Sequence, residues 1–139
     1  MDTWLEMADN NWQASLALWP GHPRSCLSRL YYAAYAAVAG FLEARGVAKD
    51  VLPSSGDEWY AHALLVEHLR ETTGWEVLGE ASLLSGDDLR RIEAALGRLR
   101  RLRVGADYIP EHRFTNQNYN DARRDARFVM DSLGAPGGA

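Results

Sequence analysis

The segment that decides the fold is HPRSCLSRLYYAAYAAVAGFLEARG, residues 22–46. Pro23 suits the first position of a helix, because its missing N–H is not needed there and its ring fixes a helical φ angle. Gly46 suits the C-terminal cap, where left-handed backbone is common. Apolar residues recur between them at helical spacing, which predicts one long amphipathic helix. These residues are Leu27, Leu30, Tyr31, Ala34, Val38, Phe41 and Leu42.

The other side of this predicted helix has little bulk. Small residues fill it, so another helix can approach closely there, either from the same chain or from a second copy. We therefore expect at least part of this side to meet a neighbouring helix. The small residues are Ala33, Ala36, Ala37, Ala39 and Gly40.

Four more segments have the periodicity or the capping residues of helices, and none predicts a strand. Three of them are residues 3–21, residues 58–74 and residues 118–134, the last beginning at Asn118. The fourth is a long segment that begins at about Asp87, where Ser85 and Asp88 form a capping box. The stripe of the first is Trp4, Met7, Trp12, Leu16 and Trp19, and the core residues of the segment 118–134 are Ala122, Ala126, Val129 and Leu133. The fold class is therefore all-α, an up-and-down bundle of about five helices over residues 1–133, followed by a flexible tail at 134–139.

Composition limits the classes of protein to which the chain can belong. Its 139 residues suffice for one domain with its own core. Cys26 is the only cysteine, and the N-terminus is acidic and interrupted by polar residues, so we expect a cytoplasmic protein with no membrane partner. A formal net charge of -4 argues against a general coat for nucleic acid but allows a local basic patch. The histidines lack a metal-binding spacing and no phosphate-binding loop occurs, so we expect neither a metal nor a cofactor.

A basic stretch, LRRLRVGADYIPEH at residues 99–112, raises the question of a phosphate site. A solvated helix face explains most of its arginines equally well. Arg103 differs, because it lies about one turn past Leu99, near the apolar stripe, where a charge needs a partner or a cleft. It either pairs with Asp107 four residues later, or presents its planar guanidinium to a phosphate.

Three stretches together resemble the HEPN family, small helical proteins often encoded beside minimal nucleotidyltransferases. They are SRLYYAAYAAVAGFLEARG at 28–46, EWYAHALL at 58–65 and LRRLRVGADY at 99–108. The most specific pieces are S-R-x-Y-Y-A-A and R-x-x-A-D-Y, and the similarity runs in order across most of residues 1–133. The resemblance implies a bundle of four or five helices, commonly dimeric through the helices that carry these motifs.

For an active toxin of that family, the resemblance implies RNA cleavage without a metal ion. An arginine and a histidine four to six residues later would carry out the cleavage, in a site shared by two protomers. This chain keeps the arginine as Arg103 but has Tyr108 where the histidine is expected, and His112 lies beyond Pro110. Tyrosine has an ordinary pKa of about 10 against about 6.5 for histidine, which makes it a poor base at neutral pH. We therefore do not expect a strong ribonuclease.

The candidate site residues combine the resemblance with the chemistry of phosphate binding. Arg103 and Tyr108 are the candidates for a catalytic role, with the arginine holding phosphate and the tyrosine contacting the ligand. In related toxin pairs a tyrosine near the arginine motif is modified by the nucleotidyltransferase, and by resemblance Tyr108 is that candidate. The tyrosines equally suit a core whose hydroxyls reach the rim, and His62 equally suits a partly buried helix position. The ligand-binding candidates are Arg29, Tyr32, His62, Arg100 and Asp107.

Three hypotheses follow. The first is a HEPN-type dimer that binds RNA or a nucleotide and acts with a nucleotidyltransferase or similar partner, in a toxin–antitoxin or phage-defence module. The second is a weak metal-independent ribonuclease that uses His62 or His112 as its base. The third is a structural interaction module in which the arginine motif only pins the bundle.

Overall fold

A computed structural model describes residues 3–44 and 86–134. These residues form four helices and contain no strand, which confirms the all-α class. The predicted helix at 58–74, with His62, lies outside the described residues, as do Ser85, Gly46 and the tail beyond residue 134. The helices are α1 (Trp4–Leu18), α2 (Pro23–Ala44), α3 (Gly86–Tyr108) and α4 (Asn116–Ser132).

Helix α2 is the centre of the core. It begins at Pro23, as predicted, after a turn that contains a cis Trp19–Pro20 bond. Every residue from Ala33 to Ala39 is buried. Seven consecutive helical residues point in all directions around the axis, so this part of α2 is enclosed on every side. Helices α1, α3 and α4 all pack against it.

The small side of α2 meets α1 of the same chain. At Gly40 an added Cβ atom would lie 3.1 Å from the Cβ of Trp4 and 3.2 Å from Cδ2 of Leu5. A glycine is therefore needed for α1 to approach this closely. The expectation that a neighbouring helix packs on this side is confirmed, and the neighbour here comes from the chain itself.

The predicted apolar stripe of α1 is right at Trp12, which is buried, and at Trp4 and Trp19, which pack against the core, and wrong at Met7 and Leu16. The buried residues of α1 are Ala8, Trp12 and Ser15, whereas Met7 and Leu16 are 38% and 37% exposed. Small residues face α2 because two helices can then lie close together. The hydroxyl of Ser15 donates to the carbonyl oxygen of Trp12 at 2.6 Å, which satisfies its hydrogen bonding inside the core.

Helices α3 and α4 largely follow the sequence pattern. The long segment predicted from about Asp87 begins one residue earlier, at Gly86, and Ile92, Leu96 and Leu99 are buried. The predicted start of α4 at Asn118 was wrong. Thr115 is the N-cap, and its hydroxyl accepts from the backbone N–H of Asn118 at 3.1 Å. The amide oxygen of Asn118 accepts from the N–H of Thr115 at 3.0 Å, so Asn118 is the third residue of a capping box rather than the cap.

The core of α4 is formed by Ala122, Ala126 and Val129, as predicted, while Leu133 is only partly buried.

The thiol of Cys26 on α2 is buried too, and burial raises its pKa to about 11. That thiol is therefore neutral and unreactive at physiological pH. None of the four described helices has the length and apolar character that crossing a bilayer requires.

Candidate functional site

The motif R-V-G-A-D-Y forms the end of α3. The helix continues through Gly105 to Tyr108, so both Arg103 and Tyr108 lie on regular helical backbone. Arg103 follows Leu99 by four residues and continues the buried stripe of α3, with only 5% of its surface exposed. A cation at such a position is stable only when its surroundings compensate for lost hydration.

Aromatic rings and a carboxylate surround the guanidinium group of Arg103. Its Cζ atom lies 5.7 Å from the ring centre of Tyr31, 5.4 Å from that of Tyr32 and 5.9 Å from that of Tyr108. Its Nε atom lies 3.2 Å from Oδ2 of Asp107. The faces of aromatic rings carry partial negative charge and attract a guanidinium at these distances. We call Arg103, Asp107, Tyr31, Tyr32 and Tyr108 the arginine cage.

The arginine cage continues into a cluster of rings on α2. Tyr35 lies 6.0 Å from Tyr31 and 6.2 Å from Tyr32, measured between ring centres, and Trp4 of α1 lies 6.4 Å from Tyr35 in an edge-to-face arrangement. Edge-to-face pairs of this kind are favourable because the positive edge of one ring meets the negative face of the other. The cage is therefore held by α1, α2 and α3 together.

Exposure differs sharply across the cage. Tyr31 is fully buried and Arg103 nearly so, whereas the side chain of Asp107 is 31% exposed and Tyr108 is 64% exposed. A molecule that approaches from solvent thus meets Tyr108 and Asp107 first and Arg103 only behind them. Of the predicted site residues, the structure brings together Arg103, Tyr108, Tyr32 and Asp107.

The two other predicted ligand residues within the described parts of the chain are Arg29 on α2 and Arg100 on α3. Arg29 is exposed, and its Nη1 donates to Oδ1 of Asn11 on α1 at 3.0 Å, so its guanidinium is directed towards α1. Arg100 is partly buried on α3, three residues before Arg103 and so on a neighbouring flank of the helix.

Arg24 is a residue that sequence reasoning missed. It lies in the first turn of α2, yet its guanidinium group donates to five backbone carbonyl oxygens at and beyond the end of α3. The C-terminal carbonyls of a helix lack partners within the helix and carry partial negative charge, so a cation there stabilises the helix end. The acceptors are Gly105 (3.2 Å), Ala106 (2.8 Å), Ile109 (3.1 Å), Pro110 (2.7 Å) and His112 (2.8 Å).

The loop after α3 folds back onto the helix. The ring of His112 stacks on Phe114, with 4.5 Å between ring centres and 13° between the planes. Its Nδ1 atom would lie 3.0 Å from a Cβ atom added at Gly105, so any larger residue there would require the ring to shift. Gly105 is two residues after Arg103, about 200° around the helix. Within one chain, His112 therefore packs on the side of α3 roughly opposite to Arg103.

The chemistry available to the cage is recognition by cation, hydroxyl and aromatic groups. Within residues 3–44 and 86–134, no group of three or more His, Cys, Asp or Glu side chains is arranged to hold a metal ion. The exposed edge offers the phenol of Tyr108 and the carboxylate of Asp107, which suit hydrogen bonding and stacking against a polar ligand.

Fold and site together define an all-helical protein whose third described helix ends in a buried arginine enclosed by tyrosines. Comparison with known proteins adds no closer classification. No protein-family model matches the chain, and no curated protein matches its sequence.

Proposed function

We propose that this protein is a HEPN-type helical protein that binds RNA or a nucleotide at the exposed edge of the arginine cage. We further propose that it acts with a nucleotidyltransferase or similar partner in a toxin–antitoxin or phage-defence module, as a dimer. The observation that carries the proposal is the assembly of Arg103, Asp107, Tyr32 and Tyr108 around one helix end, with Tyr108 turned to solvent. Family, partner and dimer rest on the sequence resemblance.

The different exposure of these residues assigns each of them a different role. Tyr108 contacts the ligand, because its ring is mostly accessible and a phenol both stacks on bases and donates to phosphate oxygens. Arg103 is a positioning residue: it holds Tyr108 and Asp107 in place and contributes positive charge from behind. Arg100 is assigned to the phosphate, since guanidinium groups bind phosphate through two parallel hydrogen bonds.

The same exposure makes Tyr108 the best candidate for covalent modification by a nucleotidyltransferase partner. Its hydroxyl lies on a side chain that is 64% exposed, at the end of a helix, where a second protein has access. The buried Tyr31 has no such access.

Titration of a labelled single-stranded RNA, and separately of ATP, tests the proposal. Tyr108→Ala should weaken binding about tenfold, which corresponds to the loss of one stacked base, while Tyr108→Phe should keep most of the affinity. Tyr119→Ala is the matched control, because Tyr119 lies at the start of α4 away from the cage and stacks on Trp19 at 4.6 Å. Equal affinities for wild type and Tyr108→Ala towards both ligands would overturn the proposal.

A structural role for the motif is the second candidate, and the 5% exposure of Arg103 favours it. In that case the cage only fixes the end of α3 against α2, and neither RNA nor ATP binds. The ribonuclease alternative is tested in the same samples by incubating the RNA with the metal chelated. We expect no cleavage, because Tyr108 stands in place of a histidine and His112 packs on the opposite side of α3.

A further inference from the structure

A groove of about 730 Å³ lies between α1 and α4, on a different part of the molecule from the arginine cage. Both helices pack on α2, and Trp19, which follows the last residue of α1, stacks on Tyr119 of α4. We call this the α1–α4 groove. Its lining residues are Trp12, Gln13 and Leu16 from α1 and Asn120, Arg123, Arg124, Arg127 and Phe128 from α4.

The α1–α4 groove is positively charged although the whole chain is acidic. Among residues 3–44 and 86–134, three arginines and no carboxylate line it, in a protein of net charge -4. Arg124 pairs with Asp121, and Arg127 with Asp131 at 2.8 Å, both within α4. Arg123 is exposed and has no ion pair with any of the described residues. Because solvent-exposed pairs within a helix are weak, an incoming carboxylate can replace Asp121 as the partner of Arg124 at little cost.

One face of each aromatic ring in the groove is covered by an arginine. The Cζ atom of Arg127 lies 5.4 Å from the ring centre of Trp12, and that of Arg91 lies 4.4 Å from the ring centre of Phe128. Nucleic-acid bases bind single-strand grooves mainly by stacking on such faces, which are covered here. Leu16 instead offers an exposed aliphatic surface, so apolar side chains fit the groove better than bases do.

We propose that the α1–α4 groove docks an acidic amphipathic segment of a partner protein. The carboxylates of that segment bind Arg123 and Arg124, and its apolar side chains pack on Leu16. From Asn120 to Phe128 the wall formed by α4 is about 12 Å long, which matches about two turns of a docked helix. This helix-in-groove recognition is a recurring mode in proteins. The proposal is independent of ligand binding at the arginine cage.

A labelled helical peptide with leucines at positions i, i+3, i+4 and i+7 and glutamates on both flanks is the probe. Its controls are a scrambled peptide of the same composition and a version in which lysine replaces glutamate. Each is titrated against wild-type protein, Arg123→Glu, Leu16→Ser and Arg101→Glu. Arg101 is the matched control, because it is exposed on α3, does not line the groove, and has no ion pair with the described residues.

We expect the acidic amphipathic peptide to bind wild type at least about tenfold more tightly than either control peptide. Arg123→Glu should weaken it about tenfold, because like charges then face each other, and Leu16→Ser should weaken it about threefold. Arg101→Glu should change the affinity less than about twofold. Both groove positions are exposed, so all variants should keep wild-type circular dichroism.

Two outcomes would overturn the proposal. One is an acidic amphipathic peptide that binds no better than its scrambled control, or equally well to Arg123→Glu. The other is a loss of affinity for single-stranded RNA in Arg123→Glu while the affinity for the peptide is retained, because the groove would then be a nucleic-acid site.

Discussion

The arginine cage and the α1–α4 groove are built from the same two kinds of side chain, arginine and aromatic rings, and differ in exposure. In the cage, Arg103 is 5% exposed and enclosed by three tyrosines and Asp107. In the groove, Arg123 and Arg124 are exposed, and the ion pairs of that region lie along one helix. Burial, rather than residue type, therefore separates an arginine that organises a structure from one that is available to a partner.

The energetic consequence follows from desolvation. Removing a buried charge leaves its former partners without compensation and opens a cavity, whereas an exposed pair is replaced by water with little change in free energy. Substitutions in the two regions should therefore affect the free energy of unfolding very differently, even where the change is the same arginine to alanine.

The largest effect is expected for Arg103→Ala. It removes the guanidinium from between three rings and leaves Asp107 unpaired in a partly buried place. We expect the free energy of unfolding to fall by about 2–4 kcal/mol, measured by urea denaturation. A loss below about 0.5 kcal/mol would mean that the cage contributes nothing to stability and would remove the contrast with the groove.

The next effect concerns Arg24. Arg24→Ala takes away the donor to five carbonyl oxygens around the end of α3, and we expect a loss of about 2–3 kcal/mol in the same urea experiment. Arg113→Ala is the matched control, since Arg113 is exposed and, within the described parts of the chain, its guanidinium donates only to the carbonyl of Pro110. That variant should lose less than about 0.5 kcal/mol. Similar losses for both arginines would show that Arg24 is not the anchor of this loop.

Two glycines of α3 should respond in opposite directions to alanine. In a helix interior alanine is favoured over glycine by about 1 kcal/mol, and at Gly97 the nearest side-chain atom, Nη1 of Arg101, lies 3.9 Å from an added Cβ. Gly97→Ala should therefore stabilise the protein by about 0.5–1 kcal/mol. At Gly105 the new methyl group would meet His112 at 3.0 Å.

His112 cannot move away easily from Gly105, because Phe114 stacks on its ring and Arg24 holds its carbonyl. Gly105→Ala should therefore destabilise the protein by about 1 kcal/mol, since the clash outweighs the gain in helix propensity. Thermal unfolding of the two variants beside wild type measures the difference. If both variants gained stability, the loop would be free to shift and the packing of His112 would not be required.

The smallest effect is expected in the groove. Arg123→Ala should change the free energy of unfolding by less than about 0.5 kcal/mol, because the side chain is exposed and forms no ion pair with the described residues. A loss above about 1 kcal/mol would place Arg123 among the structural arginines and weaken its assignment to a partner.

The sequence predicted the parts of the fold that local chemistry determines. The start of α2 was predicted from Pro23, and the core face of α2 was predicted from its apolar spacing. The core of α4 was predicted from the spacing of Ala122, Ala126 and Val129. The stripe of α1 was wrong at Met7 and Leu16, because a periodicity of large apolar residues overlooks close packing through Ala8 and Ser15. Small residues carry little weight in such a pattern, although they decide where two helices can meet.

The candidate site was predictable only where its residues follow each other along one helix. Arg103 and Asp107 are four residues apart, so their pairing was one of two predicted possibilities, and this ion pair is present in the structure. Arg24 donates hydrogen bonds to carbonyl oxygens that are 81–88 residues away in sequence, and a local sequence pattern cannot predict such a contact. The direction of Arg29 towards Asn11 likewise depends on how α1 packs on α2.

One RNA titration tests the central distinction most directly. A labelled single-stranded RNA is titrated against wild type, Tyr108→Ala and Arg123→Glu at one salt concentration. We predict that Tyr108→Ala binds about tenfold more weakly and that Arg123→Glu stays within about twofold of wild type. The opposite pattern, with affinity lost in Arg123→Glu and retained in Tyr108→Ala, would contradict the account, because the RNA would then bind at the groove.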